Sequence, residues 1–246
     1  GRQVEQLINS DKPIDASTLA NSSVVVQGLS AYEYILFDSK PDTANAEQKA
    51  RYCPLLVAIG ERQKALAEEI LKGWNKNDGV LAQMTKFPNQ RYADSHEAIA
   101  DVLRAQVTAL DTLKKKLGTP MGRMSKGIPQ PLQAEAWRSH SSLKSLEATL
   151  KAAETVWVGV DNQGLRGLLS SDQKALADKI DAAYATSLKL LADNQKSLGE
   201  LLADDALAEA SPAFVVAVEA EPDALAADAE ASPALVLAVD AEPDAA

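Results

Sequence analysis

Apolar residues recur along most of this chain at the spacing of an α-helix, and this periodicity constrains the fold more than any other feature. Side chains three and four residues apart share one helix face, so such segments can bury a single apolar stripe. Aromatic residues are few, at 4% of the chain, and the sequence therefore predicts an all-α protein. The clearest stripe comprises Ile99, Val102, Leu103, Leu110, Leu113 and Leu117.

The first long apolar pattern begins near the amino end of the chain. Asp15 or Ser17 can cap a helix there, because short polar side chains accept hydrogen bonds from the free backbone amides of a helix start. We expect this helix to continue through Gly28 and to stop near Pro41, which disfavours helical geometry in the residue before it. Its apolar positions are Leu19, Val25, Val26, Leu29, Tyr32 and Leu36.

A second helix is predicted over residues 45–74. Pro54 lies inside this segment, and it should either kink the helix or mark its true first turn. Cys53 is the single cysteine, so no internal disulfide can form, and we expect it to pack as a small buried hydrophobe. The apolar side of the helix would hold Cys53, Leu56, Val57, Leu66, Ile70, Leu71 and Trp74.

A loop with turn-forming residues is predicted over 75–91, and it would join two halves of the chain. Beyond it, Asp94 with Glu97 gives a capping-box-like start to a helix that ends at Gly118. The last two predicted helices cover 137–157 and 170–202, the second opened by a capping box of Ser170 and Gln173.

These elements predict that the chain forms two helical bundles. The first bundle would cover residues 1–90 and the second residues 91–205. Because only two long helices precede the connecting loop, the first bundle is incomplete in this chain and would leave apolar faces exposed unless further helices cover them.

The net charge of −10 is concentrated at the end of the chain. Residues 200–246 hold twelve of the 35 acidic residues and none of the 25 basic ones, so the preceding body is nearly neutral. No basic stripe is present that would neutralise phosphates, and the sequence therefore predicts no nucleic-acid binding. No apolar run reaches the roughly 18 residues of a membrane-spanning helix, so the chain is not expected to be transmembrane.

An internal repeat marks the acidic segment. Residues 209–224 recur almost unchanged as residues 230–245, which is too few copies for a solenoid. We predict an acidic low-complexity tail over 206–246, with an interaction segment as the alternative. Clustered acids also suggest calcium, but no Asp-x-Asp-x-Asp-Gly loop is present.

Residues 28–38 read Gly-Leu-Ser-Ala-Tyr-Glu-Tyr-Ile-Leu-Phe-Asp. This stretch resembles the Gly-x-His-x-x-Glu signature of the imelysin-like family, also called the M75 peptidase family, in which an aromatic or apolar run usually follows. Gly28, Glu33 and that run match, whereas Ser30 stands where the family has histidine. The resemblance extends over roughly residues 4–200 through the segments 9–15, 51–56, 97–118 and 137–157.

The resemblance implies two helical bundles related by internal duplication. It also implies a location outside the cytoplasm, in the periplasm or at the cell surface of a bacterium, and a link to metal or iron uptake. The partners expected on this basis are a metal ion, with iron and zinc as the candidates, and a protein of an uptake system.

The exchange at position 30 decides the chemistry of the motif. Histidine and glutamate at i and i+3 share one helix face and can offer an imidazole nitrogen and a carboxylate oxygen to one metal ion. A neutral hydroxyl is a weak ligand for transition metals, so Ser30 favours a structural role, bonded to a backbone carbonyl one turn earlier or to Glu33. Gly28 would let another helix approach closely. Glu33 remains the one candidate metal ligand, with a hydrogen-bonding role as its alternative.

Other catalytic patterns are not supported by the sequence. His96 and Glu97 supply the first half of His-Glu-x-x-His, but Ala100 stands where the second ligand would be. His140 has no carboxylate at a helical ligand spacing close by, and both histidines are expected to be partly exposed helix residues. No Gly-x-Ser-x-Gly occurs.

Three functions are compatible with these patterns. The first is a non-catalytic imelysin-like binding or accessory protein that acts outside the cytoplasm and is linked to metal or iron uptake. The second is an M75-type metallopeptidase whose ligands lie elsewhere. The third is a structural interaction module that uses the acidic tail.

Overall fold

A computed structural model describes residues 1–37, 46–194 and 196–203, and all regular elements within these ranges are helical. The all-α prediction is therefore confirmed. Among the described helices, none combines the length and the apolar composition needed to cross a bilayer. The predicted tail at 206–246, its repeat and the calcium hypothesis lie outside the described residues. The α-helices are α1 Arg2–Ile8, α2 Ala16–Ala20, α3 Leu29–Phe37, α4 Ala46–Asn75, α5 Val80–Thr85, α6 Ser95–Gly118, α7 Ser142–Val158, α8 Lys174–Asp193 and α9 Leu198–Ala203.

The chain divides into two compact units, Gly1–Arg91 and Tyr92–Ala246. The core of the first unit gathers apolar side chains from α1 to α4, and the core of the second gathers them mainly from α6, α7 and α8. The buried residues of the first core are Val4, Leu7, Ile8, Leu19, Val26, Ala31, Ile35, Leu55, Ala58 and Ile59.

The prediction of a single helix that runs through Gly28 is wrong. Asp15 does cap α2, since its Oδ1 accepts from the Thr18 amide at 2.7 Å, but α2 ends at Ala20 and a short 3₁₀ turn, Val24–Val26, precedes α3. Ser22 and Ser23 explain the break. The Ser22 hydroxyl donates to the Thr18 carbonyl at 2.7 Å and the Ser23 hydroxyl accepts from the Val25 amide at 3.4 Å, so both side chains compete with the helical backbone ladder.

The long second helix exists, but its buried face differs from the predicted one. Leu55, Ala58 and Ile59 are almost fully buried, whereas Cys53 is exposed and Val57 is 60% exposed. The prediction of a buried Cys53 is therefore wrong. Pro54 lies eight residues inside α4, so it does not mark the first turn of the helix.

The carboxyl-terminal half of α4 carries apolar side chains on its surface. Ile70 is 69% exposed, Leu71 is 60% exposed and Trp74 is 44% exposed. The short helices α1, α2 and α3 supply the buried side chains that pack with the first half of α4. The described part of the first unit thus leaves apolar surface exposed along the second half of α4.

The second unit follows its sequence pattern in α6, whereas the helix predicted from residue 137 begins only at Ser142 and Trp137 lies in a turn. Asp94 caps α6 by accepting from the Glu97 amide at 3.1 Å, and the Glu97 carboxylate accepts from the Ala93 amide at 2.7 Å. α6 buries the predicted stripe in its second half, at Leu110, Leu113 and Leu117. Before α8, the Ser170 amide donates to Gln173 Oε1 at 3.1 Å.

The last predicted helix is divided into two helices in the structure. α8 ends at Asp193 instead of continuing to residue 202, and α9 follows as a separate short helix. Ser197 and Glu200 explain the new start, because the Ser197 amide donates to Glu200 Oε2 at 2.7 Å and the Glu200 amide donates to Ser197 Oγ at 3.3 Å. This reciprocal pair is a capping box.

Candidate functional site

The motif that begins at Gly28 is held in place by α4. Gln27, which is only 9% exposed, accepts from the Arg62 Nε at 3.4 Å through its side-chain oxygen and from the Gln63 Nε2 at 2.8 Å through its carbonyl. Its own Nε2 donates to the Ser22 carbonyl at 2.7 Å. These bonds fix the residue that precedes the motif and thereby set where α3 begins.

Ser30 and Glu33 lie on α3, on the opposite side from its buried residues Ala31 and Ile35. Ser30 is exposed and Glu33 is half-buried. The Ser30 hydroxyl makes no hydrogen bond to any residue that the structure describes. The predicted bond from Ser30 to a backbone carbonyl or to Glu33 is therefore wrong, and this hydroxyl faces solvent.

Gly28 does not serve helix packing. A Cβ built at this position meets no atom of the described residues within 4 Å, so no described element approaches the missing side chain. The carbonyl of Gly28 instead accepts from the Ala31 and Tyr32 amides at 3.0 and 3.3 Å, at the first turn of α3. The prediction that Gly28 permits a close helix approach is wrong.

A polar cluster that the sequence patterns did not reveal lies beside the motif. Glu5 on α1 accepts from the Tyr34 hydroxyl at 2.9 Å, and from the Tyr52 hydroxyl at 2.9 and 3.0 Å through its two oxygens. Burial, followed by the hydrogen bond to Glu5 and its charge, raises the pKa of Tyr52 to about 12. One carboxylate thus ties α1, α3 and α4 together.

The two family-like segments at residues 9–15 and 51–56 meet in the first unit. The Arg51 Nη2 donates to the Ser10 carbonyl at 3.2 Å. A shallow cleft of about 480 Å³ lies between these segments, with Lys12, Arg51 and Pro54 among its lining residues.

The histidines do not complete a metal site. His96 lies in α6, with its Nδ1 3.6 Å from an oxygen of Asp94. His140 is exposed and lies in a turn with φ +55°, so its predicted place in a helix is wrong. Within the described ranges, no group of three His, Cys, Asp or Glu side chains is arranged to hold a metal ion.

Ser197, His140 and Glu200 come together in the structure, and no sequence pattern indicated this contact. The His140 Nδ1 lies 3.2 Å from Ser197 Oγ, and the same oxygen donates to Glu200 Oε2 at 2.6 Å. In a catalytic triad the acid orients the histidine, which in turn takes the proton of the serine. Here the acid binds the serine itself, and the hydrogen bonds from Ser197 lower the pKa of Glu200. The arrangement is that of a helix cap.

The donor set at the motif does not fit a transition metal. Ser30 and Glu33 together offer one hydroxyl and one carboxylate on an exposed helix face, whereas such ions prefer imidazole, thiolate or several carboxylates.

Comparison with known proteins identifies the relationship of this chain. A family model described as Imelysin, Peptidase_M75, matches residues 1–227. No curated protein and no solved structure matches the chain. The family match covers most of the 246 residues and includes the motif with serine at position 30. The chain therefore belongs to the imelysin family.

Proposed function

We propose that this protein is a non-catalytic member of the imelysin family that acts outside the cytoplasm as a binding or accessory component of metal or iron uptake. The observation that carries the non-catalytic assignment is Ser30, a solvent-facing hydroxyl at the position where the Gly-x-His-x-x-Glu signature that this stretch resembles has histidine. The location and the link to uptake are supported by family membership.

The chemistry of the motif supports this assignment. Glu33 supplies a single carboxylate one turn beyond Ser30, and a single carboxylate binds a transition metal weakly. The helix that carries both residues is nevertheless well anchored, through the buried Gln27 at its start and through Tyr34, whose hydroxyl donates to Glu5. The motif thus keeps its scaffold while it lacks the nitrogen ligand.

Metal analysis of the purified protein tests the proposal. We expect well under one equivalent of iron or zinc per chain, and the same content in the Glu33→Ala variant. Stoichiometric metal that is lost in Glu33→Ala would contradict the proposal and favour an intact metal site. Casein digestion that a chelator abolishes would favour the metallopeptidase alternative.

A gain-of-ligand variant provides the matched experiment. Ser30→His places an imidazole three residues before Glu33, and we expect zinc affinity to rise at least about tenfold, or ~1.4 kcal/mol. Ser30→Ala is the control and should leave zinc affinity unchanged. Equal affinity in Ser30→His and Ser30→Ala would show that this helix face is not the family metal site.

A further inference from the structure

A cleft of about 350 Å³ opens in the second unit, away from the motif helix in sequence. Glu154 and Trp157 line it from α7, Asp181 and Tyr184 line it from α8, and Arg166 lines it from the segment between these helices. The cleft therefore combines charged groups, aromatic walls and a buried hydroxyl, and neither Ser30 nor Glu33 contributes to it.

The segment after α7 is packed tightly enough to give the cleft a fixed wall. Gly159 has φ +74°, and a Cβ there would lie 2.1 Å from the Gly164 nitrogen. A Cβ at Gly164 would lie 2.4 Å from the Trp157 carbonyl oxygen. The backbone at Gly159 is thus in direct contact with the backbone at Gly164. Because of this contact the fold sets the position of Arg166, which follows Gly164 by two residues.

The charges of the cleft do not cancel completely. Asp181 accepts from the Trp157 Nε1 and from the Arg166 Nε, each at 2.8 Å, so the guanidinium offsets this carboxylate. Asp178 nearby pairs with Lys174 at 2.6 Å. Glu154 has no ion pair or hydrogen bond with any part of the chain that the structure describes. Its negative charge is therefore the uncompensated charge of the cleft.

Tyr184 presents a hydrogen-bond donor that the described residues do not use. The residue is only 3% exposed, and its hydroxyl oxygen accepts from the Gln106 Nε2 at 2.8 Å. The same Nε2 donates to the Ala153 carbonyl at 2.5 Å, which fixes the orientation of the Gln106 amide. The hydroxyl hydrogen of Tyr184 has no acceptor among the described residues. A buried donor without an acceptor is costly unless something else accepts from it.

We propose that this cleft binds a small protonated amine that also carries an oxygen acceptor. The ammonium group donates to the Glu154 carboxylate, and the oxygen accepts from the Tyr184 hydroxyl. Both contacts are noncovalent, and they use the Glu154 charge and the Tyr184 donor, which no residue that the structure describes matches. An anion would meet Glu154 without a compensating free cation, because Arg166 is already paired with Asp181.

Amino sugars and amino-acid amides share this chemistry, and two probes distinguish them. Isothermal titration of the full chain with glucosamine and with alaninamide should show saturable binding of at least one of the two, and the one that binds more tightly identifies the source. N-acetylglucosamine, which has no positive charge, should not bind. Absence of saturable binding for both amines would overturn the proposal, as would equal affinity for glucosamine and N-acetylglucosamine.

Variants locate the binding to the cleft. Glu154→Gln removes the charge and keeps the shape, and it should weaken binding at least about tenfold. Tyr184→Phe keeps the ring and should weaken binding about fivefold. Glu147→Gln is the matched control. It removes a carboxylate from the same helix, but this carboxylate pairs with Lys151. It should bind as the wild type does. Wild-type affinity in Glu154→Gln would overturn the proposal. Glu154 is half-buried and forms no ion pair or hydrogen bond with the described residues, so this near-isosteric substitution does not endanger folding.

Discussion

The two units of this protein use tyrosine hydroxyls in opposite ways. In the first unit, Tyr34 and Tyr52 donate to Glu5, so both hydroxyl protons of that cluster have an acceptor within the fold. In the second unit, Tyr184 accepts from Gln106, and among the described residues its own hydroxyl proton has no acceptor and the nearby Glu154 has no ion pair or hydrogen bond. The first arrangement stabilises the fold, whereas the second leaves a hydrogen-bond donor and a charge to which a ligand can bind. Polar residues alone therefore do not distinguish a structural cluster from a ligand site, but the balance of donors and acceptors does.

The substitution with the largest expected effect disrupts the loop after α7 that forms one wall of the second-unit cleft. Gly159→Ala should lower the free energy of unfolding of that unit by about 3 kcal/mol, because the new Cβ meets backbone atoms and the φ of +74° disfavours a side chain. Urea unfolding with hydrogen exchange of core amides would measure the loss unit by unit.

A helical glycine of the first unit is the control for that substitution. Gly60 lies within α4, and a Cβ there meets no atom within 4 Å. Gly60→Ala should therefore stabilise the first unit by about 0.5–1 kcal/mol through helix propensity. A Gly159→Ala protein as stable as the wild type would mean that the loop wall is not rigid and that the cleft has no fixed shape.

The next largest effect is expected from a substitution in the Glu5 cluster of the first unit. Glu5→Ala removes the acceptor of two tyrosine hydroxyls and should destabilise the first unit by about 2 kcal/mol, because hydrogen bonds to a carboxylate stabilise more than neutral ones. Exposed Gln6 on the same helix gives the control, and Gln6→Ala should change stability by less than about 0.5 kcal/mol. Equal effects of the two substitutions, measured by urea unfolding, would show that the cluster is not structural.

A smaller effect appears only in alkaline solution. The pKa of both Tyr52 and Tyr184 is raised to about 12, from an ordinary value near 10. A group whose pKa is higher in the folded state contributes stability that is complete below pH 10 and is lost as the pH rises toward 12. The free energy of unfolding should therefore be level up to about pH 10 and should then fall.

Two variants assign the alkaline loss to its unit. Tyr52→Phe should flatten the decline for amides of the first unit, and Tyr184→Phe should flatten it for amides of the second. For Tyr52 the hydrogen bond to Glu5 adds to burial, whereas for Tyr184 burial dominates and the bond from Gln106 opposes it. An unchanged alkaline decline in both variants would contradict this assignment.

The second unit was more predictable from the sequence than the first, for physical reasons. Its helices carry one regular apolar stripe each, and local side chains such as Asp94 determine where they begin. In α4 of the first unit, apolar residues lie on several sides, so the pattern did not reveal that Leu55 is buried while Val57 is exposed. Contacts with α1, α2 and α3 select the buried face, and that selection is tertiary.

The candidate sites were less predictable than the helices. The Gly28 motif was visible because its residues are contiguous, but the Glu5 cluster joins residues 29 and 47 positions apart in sequence. No periodic or local signal reports such a contact. The same holds for the pairing of Gln106 with Tyr184, which are separated by 78 positions.

The smallest expected effect concerns the glycine of the motif itself. Gly28 has no positive φ, and a Cβ there meets nothing within 4 Å, so Gly28→Ala should change the stability of the first unit by less than about 0.5 kcal/mol. Two modest terms oppose each other, since alanine restricts the unfolded chain but is a poor residue at a helix start. Urea unfolding measures the difference, and Gly159→Ala serves as the contrasting case. A loss above 1 kcal/mol in Gly28→Ala would show that the motif glycine does carry a packing role in the folded protein, and it would reopen this helix face as an interface.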